Sequence, residues 1–286
     1  MARCEVCFRH CEIAEGVLGF CGARACRDGK VVASNYGKIT ACALDPIEKK
    51  PLARFHPGSR ILSVGSYGCN LRCPFCQNSD ISWGEEAKRF ADTAETLAPE
   101  QLVRLSERYL DSGNIGIAFT YNEPLIGYEF VRDTARLAHE KGMKNVLVTN
   151  GTAELSVLME LLPWIDAMNI DLKSFSSKVY GETLGGDLKM TQAFITEAVK
   201  AAHVELTCLI VPGMNDSEED MRKMTEWIAS LKNAKGEVTG KEIPLHISRF
   251  FPRFHMTDRP ATPVSDVYRM ADVAREKLKY VYTGNC

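Results

Sequence analysis

The sequence predicts an α/β fold, a partial (β/α)6 TIM-like barrel with an N-terminal cysteine-rich metal-binding module. Three observations predict it. Short β-rich runs alternate with helical patterns every roughly 30 to 40 residues, the rhythm of βαβ units and a parallel sheet. Most of these runs are near-continuously apolar, as strands covered on both faces require. Residues 1 to about 58 lack the alternation and carry cysteines instead. The expected division is therefore 1–58 for the module and 59–286 for the barrel.

Six candidate strands lie at 61–66, 115–120, 145–149, 167–171, 204–210 and 243–247. Helices fill the gaps. Ile126, Phe130, Leu137 and Ala138 share one face of a helix that begins after Pro124 and stops at Gly142. Met221, Met224, Ile228 and Leu231 form the stripe of another, opened by Asp216 with Glu219 three residues on, a capping-box pattern. Both stripes read as core. The polar stretches 174–186 and 233–241 read as surface connections.

Of the 286 residues, 45% are hydrophobic, enough for a sizeable core. Lys and Arg number 35 against 37 Asp and Glu, a net charge of -2. No general pull on phosphate backbones or anionic lipid is built in, so neither a nucleic acid nor a membrane partner is expected. The N-terminal segment has neither the apolar stretch of a signal peptide nor a membrane span, which makes a cytoplasmic protein the expectation. Eleven cysteines in such a chain point to thiolates that bind metal rather than to disulfides.

Directly after the apolar run 60–65 comes Gly68-Cys69-Asn70-Leu71-Arg72-Cys73-Pro74-Phe75-Cys76. Three close thiolates on a loop after a strand can ligate three irons of a cubane and leave the fourth open for a substrate or cofactor. The competing readings are a zinc site, which needs a fourth protein ligand, and three structural thiols. The other group is Cys4-x2-Cys7-x3-Cys11-x9-Cys21. Four thiolates there can close a tetrahedral site around zinc or iron, the preferred option, or hold a second iron-sulfur cluster. A metal would supply folding energy that so small a module lacks. Cys26 falls outside that spacing and is taken as a non-ligand. Cys42, Cys208 and Cys286 stand alone and read as small buried hydrophobes.

C-x3-C-x2-C with an aromatic residue before the last cysteine resembles the signature of radical S-adenosylmethionine enzymes. The resemblance implies a 4Fe-4S cluster on Cys69, Cys73 and Cys76, with the amino and carboxylate groups of S-adenosylmethionine on the open iron. It further implies reductive cleavage of the sulfonium to a 5'-deoxyadenosyl radical that takes hydrogen from a substrate. Phe119-Thr120-Tyr121-Asn122-Glu123-Pro124 is similar to the activase-type Gly-Gly-Glu-Pro segment, with Tyr121 and Asn122 in place of the glycines. Val148-Thr149-Asn150-Gly151 matches the family's Thr-Asn-Gly turn, although Val148 stands where the pyruvate formate-lyase activase has an acidic residue. Asp171-Leu172-Lys173 and His246 match further cofactor-lining positions. The resemblance thus implies cofactor binding by Tyr121, Asn122, Glu123, Asn150, Asp171, Lys173 and His246, with Lys173 and His246 catalytic.

The segments 45–52, 120–124 and 280–285 together look like the AmmeMemoRadiSam system radical SAM enzymes, relatives of the activases encoded beside Memo-like and AMMECR-like proteins. Arg54 stands where many members carry histidine. The partners so implied are S-adenosylmethionine, a low-potential flavodoxin- or ferredoxin-like electron donor, and the Memo-like and AMMECR-like proteins. The expected function is hydrogen abstraction from a peptide or small molecule. The alternatives are a glycyl-radical enzyme activase and a non-enzymatic iron-sulfur electron carrier, which needs no cofactor pocket.

Overall fold

The computed structural model describes all residues, Met1–Cys286. Eight strands form its central sheet: β1 (Ala41–Pro46), β2 (Arg60–Gly65), β3 (Asn114–Phe119), β4 (Lys144–Thr149), β5 (Ala167–Asp171), β6 (His203–Ile210), β7 (Leu245–Arg249) and β8 (Val281–Gly284). They neighbour one another in chain order. β1 pairs with β2 antiparallel, and every later pair is parallel. A helix of seven or more residues follows each of β2 to β7: α1 (Pro99–Glu107), α2 (Tyr128–Glu140), α3 (Leu155–Leu161), α4 (Leu188–Ala198), α5 (Glu218–Ala229) and α6 (Val264–Arg275), with two single-turn helices, Ser79–Ser82 and Phe90–Thr93, ahead of α1.

The parallel part thus has seven strands where six were expected. The added strand, β8, is only half-buried and lacks the continuous apolar run that marks the others. Expected helix boundaries shift slightly too. A 3-10 turn at Pro124–Gly127 precedes α2. The cap of α5 is Ser217, whose hydroxyl accepts from the Asp220 amide, while Asp216 accepts from the Gly213 amide and closes the preceding loop. Of the isolated cysteines, Cys208 is buried as expected, but Cys42 lies on the edge strand and Cys286 at the chain end, and both are exposed.

β1 is hydrogen-bonded into the sheet along its whole length, so the sheet begins ahead of residue 58. The chain then turns into the lumen. Ile47 and Leu52 are fully buried there against Ile61, Ala118, Val146 and Ala167, with Phe55 and Val148 packed alongside. This apolar plug closes one end of the barrel and leaves the C-terminal ends of the strands open. Asn169 ties the plug to β5 by donating to the Pro51 carbonyl at 2.8 Å.

Residues before β1 form two short hairpins, Ala2–Arg3 with Glu12–Ile13 and Arg24–Arg27 with Lys30–Ala33. They are fastened to the barrel by Arg24, which is buried and donates to both carboxylate oxygens of Glu129 on α2 at 2.7 Å.

Candidate active site

A cavity of about 700 Å³ opens at the C-terminal ends of the strands, a volume in the range of small-ligand sites. Cys69, Cys73 and Cys76 line one side, and no other cysteine reaches it. Tyr121, Asn122, Glu123, Asn150, Asp171, Lys173 and His246 all line it as well. The cavity runs down the lumen to Pro51 and Ala53 of the plug.

Each of these side chains is held by a distinct set of bonds. Glu123 is 2% exposed. Its carboxylate accepts from the Thr149 hydroxyl (2.6 Å), the Asn150 amide (2.8 Å) and the Leu125 amide (3.0 Å). A carboxylate has about four acceptor positions, so one remains for a ligand. Burial pushes Glu123 up to about 7 despite those bonds.

Asn122, which lines the cavity, also bonds through its side chain to the backbone of residues 66–68. Its amide donates to the carbonyls of Tyr67 (3.1 Å) and Gly68 (3.2 Å), and its oxygen accepts from the Ser66 amide (3.0 Å). It braces the loop that delivers Cys69. Tyr121 sits at φ 73°, left-handed backbone that favours glycine and explains why a glycine suits this place in the similar motif. Its hydroxyl donates to Asp45 at 2.8 Å, and Asp45 also pairs with Lys50 at 2.9 Å.

Asn150 stands beside the cysteine loop. Its amide donates to Asn70 Oδ1 (2.9 Å) and reaches Cys69 Sγ (3.8 Å). Asp171 and Lys173, two residues apart where β5 ends, form an ion pair of 2.7 Å. Burial would lower the Lys173 ammonium, but Asp171 and Cys73 outweigh it and raise it. Asn215 fixes this corner by donating to the Lys173 carbonyl at 2.7 Å.

His246 lies deeper, stacked on Tyr282 with ring centres 5.2 Å apart. Its Nε2 is 2.6 Å from Glu205, a fully buried carboxylate that also takes His203 Nε2 at 2.9 Å. The amides of Ala53 (2.9 Å) and Arg54 (2.8 Å) donate to the same carboxylate. Burial alone would raise Glu205, but these bonds bring it down to about 2. Sequence reasoning missed Glu205. The signal was a single acid on a mostly apolar strand, two residues from Thr207, which shares its face and lines the cavity.

Burial pushes Cys69 well up and Cys73 to about 12, so both stay thiols until a metal takes their protons. No three His, Cys, Asp or Glu side chains are gathered around a single ion position anywhere in the chain. A cubane does not ask for that, because each thiolate binds a different iron. Three thiols on one wall of a roomy polar cavity, with no fourth cysteine, suit such a cluster with one open iron.

Cys4, Cys7, Cys11 and Cys21 together line a small separate cavity. No three of these thiols are gathered around a single ion position. Cys26 is elsewhere, its thiol donating to Glu15 at 3.3 Å.

The structure is thus a mostly parallel α/β sheet with a three-cysteine loop at the open, C-terminal ends of its strands. Residues 63–228, more than half of the chain, match the Radical SAM superfamily, and the chain belongs to it. It is 40% identical to an uncharacterized protein of Methanocaldococcus jannaschii, across 99% of this chain and 81% of that one. It is 30% identical to the pyruvate formate-lyase-activating enzyme of Clostridium pasteurianum, across 63% of this chain and 73% of that enzyme. The fold is shared with QueE from Escherichia coli, with a TM-score of 0.54, 14% identity and coverage of 86% of this chain and 92% of that one. No helix is long and apolar enough to cross a membrane.

Proposed function

We propose that the chain reductively cleaves S-adenosylmethionine at a 4Fe-4S cluster on Cys69, Cys73 and Cys76 and abstracts hydrogen from a peptide or small molecule. The observation that carries this is one cavity lined by those three cysteines and by polar side chains from the ends of β3, β4 and β5. An iron-sulfur electron carrier has no use for such a cavity. When bound, the cluster and S-adenosylmethionine supply a one-electron reduction of the sulfonium and, from it, the hydrogen-abstracting power.

The residues of the chain bind and orient. Glu123 keeps one acceptor position free for an ammonium while its other bonds fix the Thr149-Asn150 turn. Asp171 faces a ribose and Lys173 a carboxylate in this arrangement. The plug at Ile47–Lys49 and beyond seals the lumen against water from below. His246, aligned by Glu205, faces the substrate end of the cavity.

The proposal includes the AmmeMemoRadiSam lineage, the residues ahead of β1 as a metal-binding module serving the barrel, and zinc, iron or a second iron-sulfur cluster at Cys4, Cys7, Cys11 and Cys21. It also includes a flavodoxin- or ferredoxin-like donor and Memo-like and AMMECR-like partners. A second reading, activation of a glycyl-radical enzyme, is favoured by the similarity to the Clostridium pasteurianum activating enzyme. Anaerobic protein given dithionite and S-adenosylmethionine should release 5'-deoxyadenosine and methionine. Release of neither, with the cluster intact, overturns both readings.

A further inference from the structure

We propose that the outer face of the loop 69–76 is the docking surface for a small acidic flavoprotein, which delivers single electrons to the cluster on the inner face. This docking rests on the proposed function of the cavity, since the cluster it serves is bound there.

The loop has two sides. Its cysteines line the main cavity together with Gln77 and Asn78, so cofactor and substrate occupy that side. The other side carries a continuous run of rings and guanidiniums, none of which lines the cavity. Phe20 lies between Arg9 and Arg72, whose guanidinium carbons stand 3.3 and 3.8 Å from its ring centre. Arg72 is also 5.4 Å from the centre of the Trp83 ring, Trp83 meets Phe254 edge-on at 4.7 Å, and Phe254 packs on His255 at 3.8 Å. The N-terminal hairpins, the cysteine loop and the stretch after β7 thus meet in one surface.

Direct bonds tie this surface to the loop. The Phe20 carbonyl accepts from Arg72, and Arg72 also donates to the Cys69 carbonyl at 2.8 Å. Cys69 N donates to Cys21 O at 3.1 Å, and His255 N to Pro74 O at 2.9 Å. Arg253 donates to the Gln77 carbonyl at 3.2 Å. The surface is therefore one hydrogen bond away from the backbone that carries the thiols. Electron transfer weakens steeply with distance, so a protein donor kept out of the filled cavity has its shortest approach here.

The chemistry of the surface selects the partner. Val17, Leu18 and Phe20 are 52%, 45% and 40% exposed, three apolar side chains within four residues that the fold leaves uncovered. Arg253, next to Phe254, is exposed, Arg9 and Arg72 are half-buried, and all three are permanently cationic. No Asp or Glu occurs in 6–11, 16–27, 69–79 or 249–257, the stretches that build the surface, although the chain has 37 acidic residues against 35 basic ones. An apolar patch with a cationic rim fits an acidic protein. A flavin suits it better than a second iron-sulfur centre, because the dimethylbenzene edge of a flavin is a flat apolar ring that packs on aromatic side chains. Redox encounters bury little surface, below ~1,200 Å², so a patch built on a few side chains suffices. The transfer balances without a proton: the anionic flavin hydroquinone loses one electron and becomes the neutral semiquinone, and the cluster gains that electron.

The test is stopped-flow reduction of the cluster-loaded full chain by flavodoxin hydroquinone, with calorimetry of its complex with oxidised flavodoxin. Neither needs S-adenosylmethionine. Phe20→Glu places a carboxylate between the two guanidiniums, and Leu18→Glu puts one on the exposed patch. Each should slow reduction by flavodoxin about tenfold or more and weaken the complex in parallel, and added salt should slow the wild type. Dithionite needs no docking and should reduce wild type and both variants at rates within about twofold of one another. Where Phe20→Glu also slows dithionite, its loop is disturbed and Leu18→Glu decides. Val238→Glu makes the same charge change on a loop at the other end of the barrel, where Val238 is 59% exposed, and should behave as wild type. Flavodoxin rates and affinities unaltered in Leu18→Glu and Phe20→Glu, or lowered equally in Val238→Glu, overturn the proposal. Reduction by ferredoxin that depends on this surface, with none by flavodoxin, overturns the choice of a flavin. Docking and reduction as expected, without release of 5'-deoxyadenosine, support the surface and count against the proposed function of the cavity alone.

Discussion

Glu205 Oε2 and His246 Nε2 lie 2.6 Å apart in the barrel lumen, and the same carboxylate holds His203 and the backbone of the plug. An ionised carboxylate can only accept, so His246 donates through Nε2 and turns Nδ1 away from the carboxylate. Glu205 is therefore both a brace between β6, β7 and the plug and the group that fixes the tautomer of a cavity-lining imidazole.

Its acidity makes a stability prediction with a definite sign. The folded value is depressed to about 2, below the ordinary carboxylate range. The stabilisation from the ionised group is thus present above the unfolded value of about 4.3 and lost as pH falls towards about 2. Replacing Glu205 by Gln should cost roughly 3 kcal/mol at neutral pH, because two imidazoles and two amides lose a charged acceptor. Urea unfolding of metal-free protein at several pH values checks it. The variant's stability should change less than that of the wild type across that acidic window, and equal slopes would remove Glu205 as the cause.

Glu123 should matter twice. Glu123→Ala removes the acceptor of Thr149, Asn150 and Leu125, and it removes the position left for an ammonium. A charge-assisted hydrogen bond contributes roughly 1.5 to 3 kcal/mol, so S-adenosylmethionine affinity should fall by about 10- to 150-fold. Calorimetry on protein with its cluster intact is the check, and unchanged affinity would confine Glu123 to a structural part.

Tyr121 offers a test of stored backbone strain. It occupies left-handed backbone while Asp45 holds its hydroxyl and Asn78 donates to its carbonyl at 2.8 Å. Tyr121→Phe should cost about 1 kcal/mol by loss of the hydroxyl bond. Tyr121→Gly gives up the same bond and relieves the strain, so it should be no less stable than the Phe variant. A much less stable glycine variant would show that the ring's packing dominates.

What was legible in the sequence follows from how local each signal is. The strands β2 to β7 show as apolar runs, and the residues at their ends line the cavity because a parallel barrel aligns those ends. The plug was illegible as such, since Ile47, Leu52 and Phe55 have no period and become a core only inside the lumen. Glu205 was missed because its partners, His203, His246 and the amides at 53 and 54, come from three separated segments. The bracing of residues 66–68 by Asn122 was equally illegible, because it is a contact across more than fifty residues of chain.

Asp171 and Lys173 give the last prediction. Their 2.7 Å pair stands where β5 ends, on the cavity wall shared with Cys73, and Asn215 anchors the Lys173 backbone. A cofactor carrying both a carboxylate and a ribose can take a bond from each member without breaking the pair, since the ammonium has three donors and the carboxylate about four acceptor positions. Lys173→Met keeps the length of the side chain and removes the charge. It should weaken S-adenosylmethionine by about tenfold or more, the effect of one charge-assisted bond of roughly 1.5 kcal/mol. Asp171→Asn keeps the shape and should weaken binding less, because the amide still accepts from a ribose hydroxyl. Titration calorimetry with both variants at equal cluster content orders them. Asp171→Asn as damaging as Lys173→Met would mean that the pair acts as one unit, with the aspartate holding the ammonium in place rather than meeting the ribose itself.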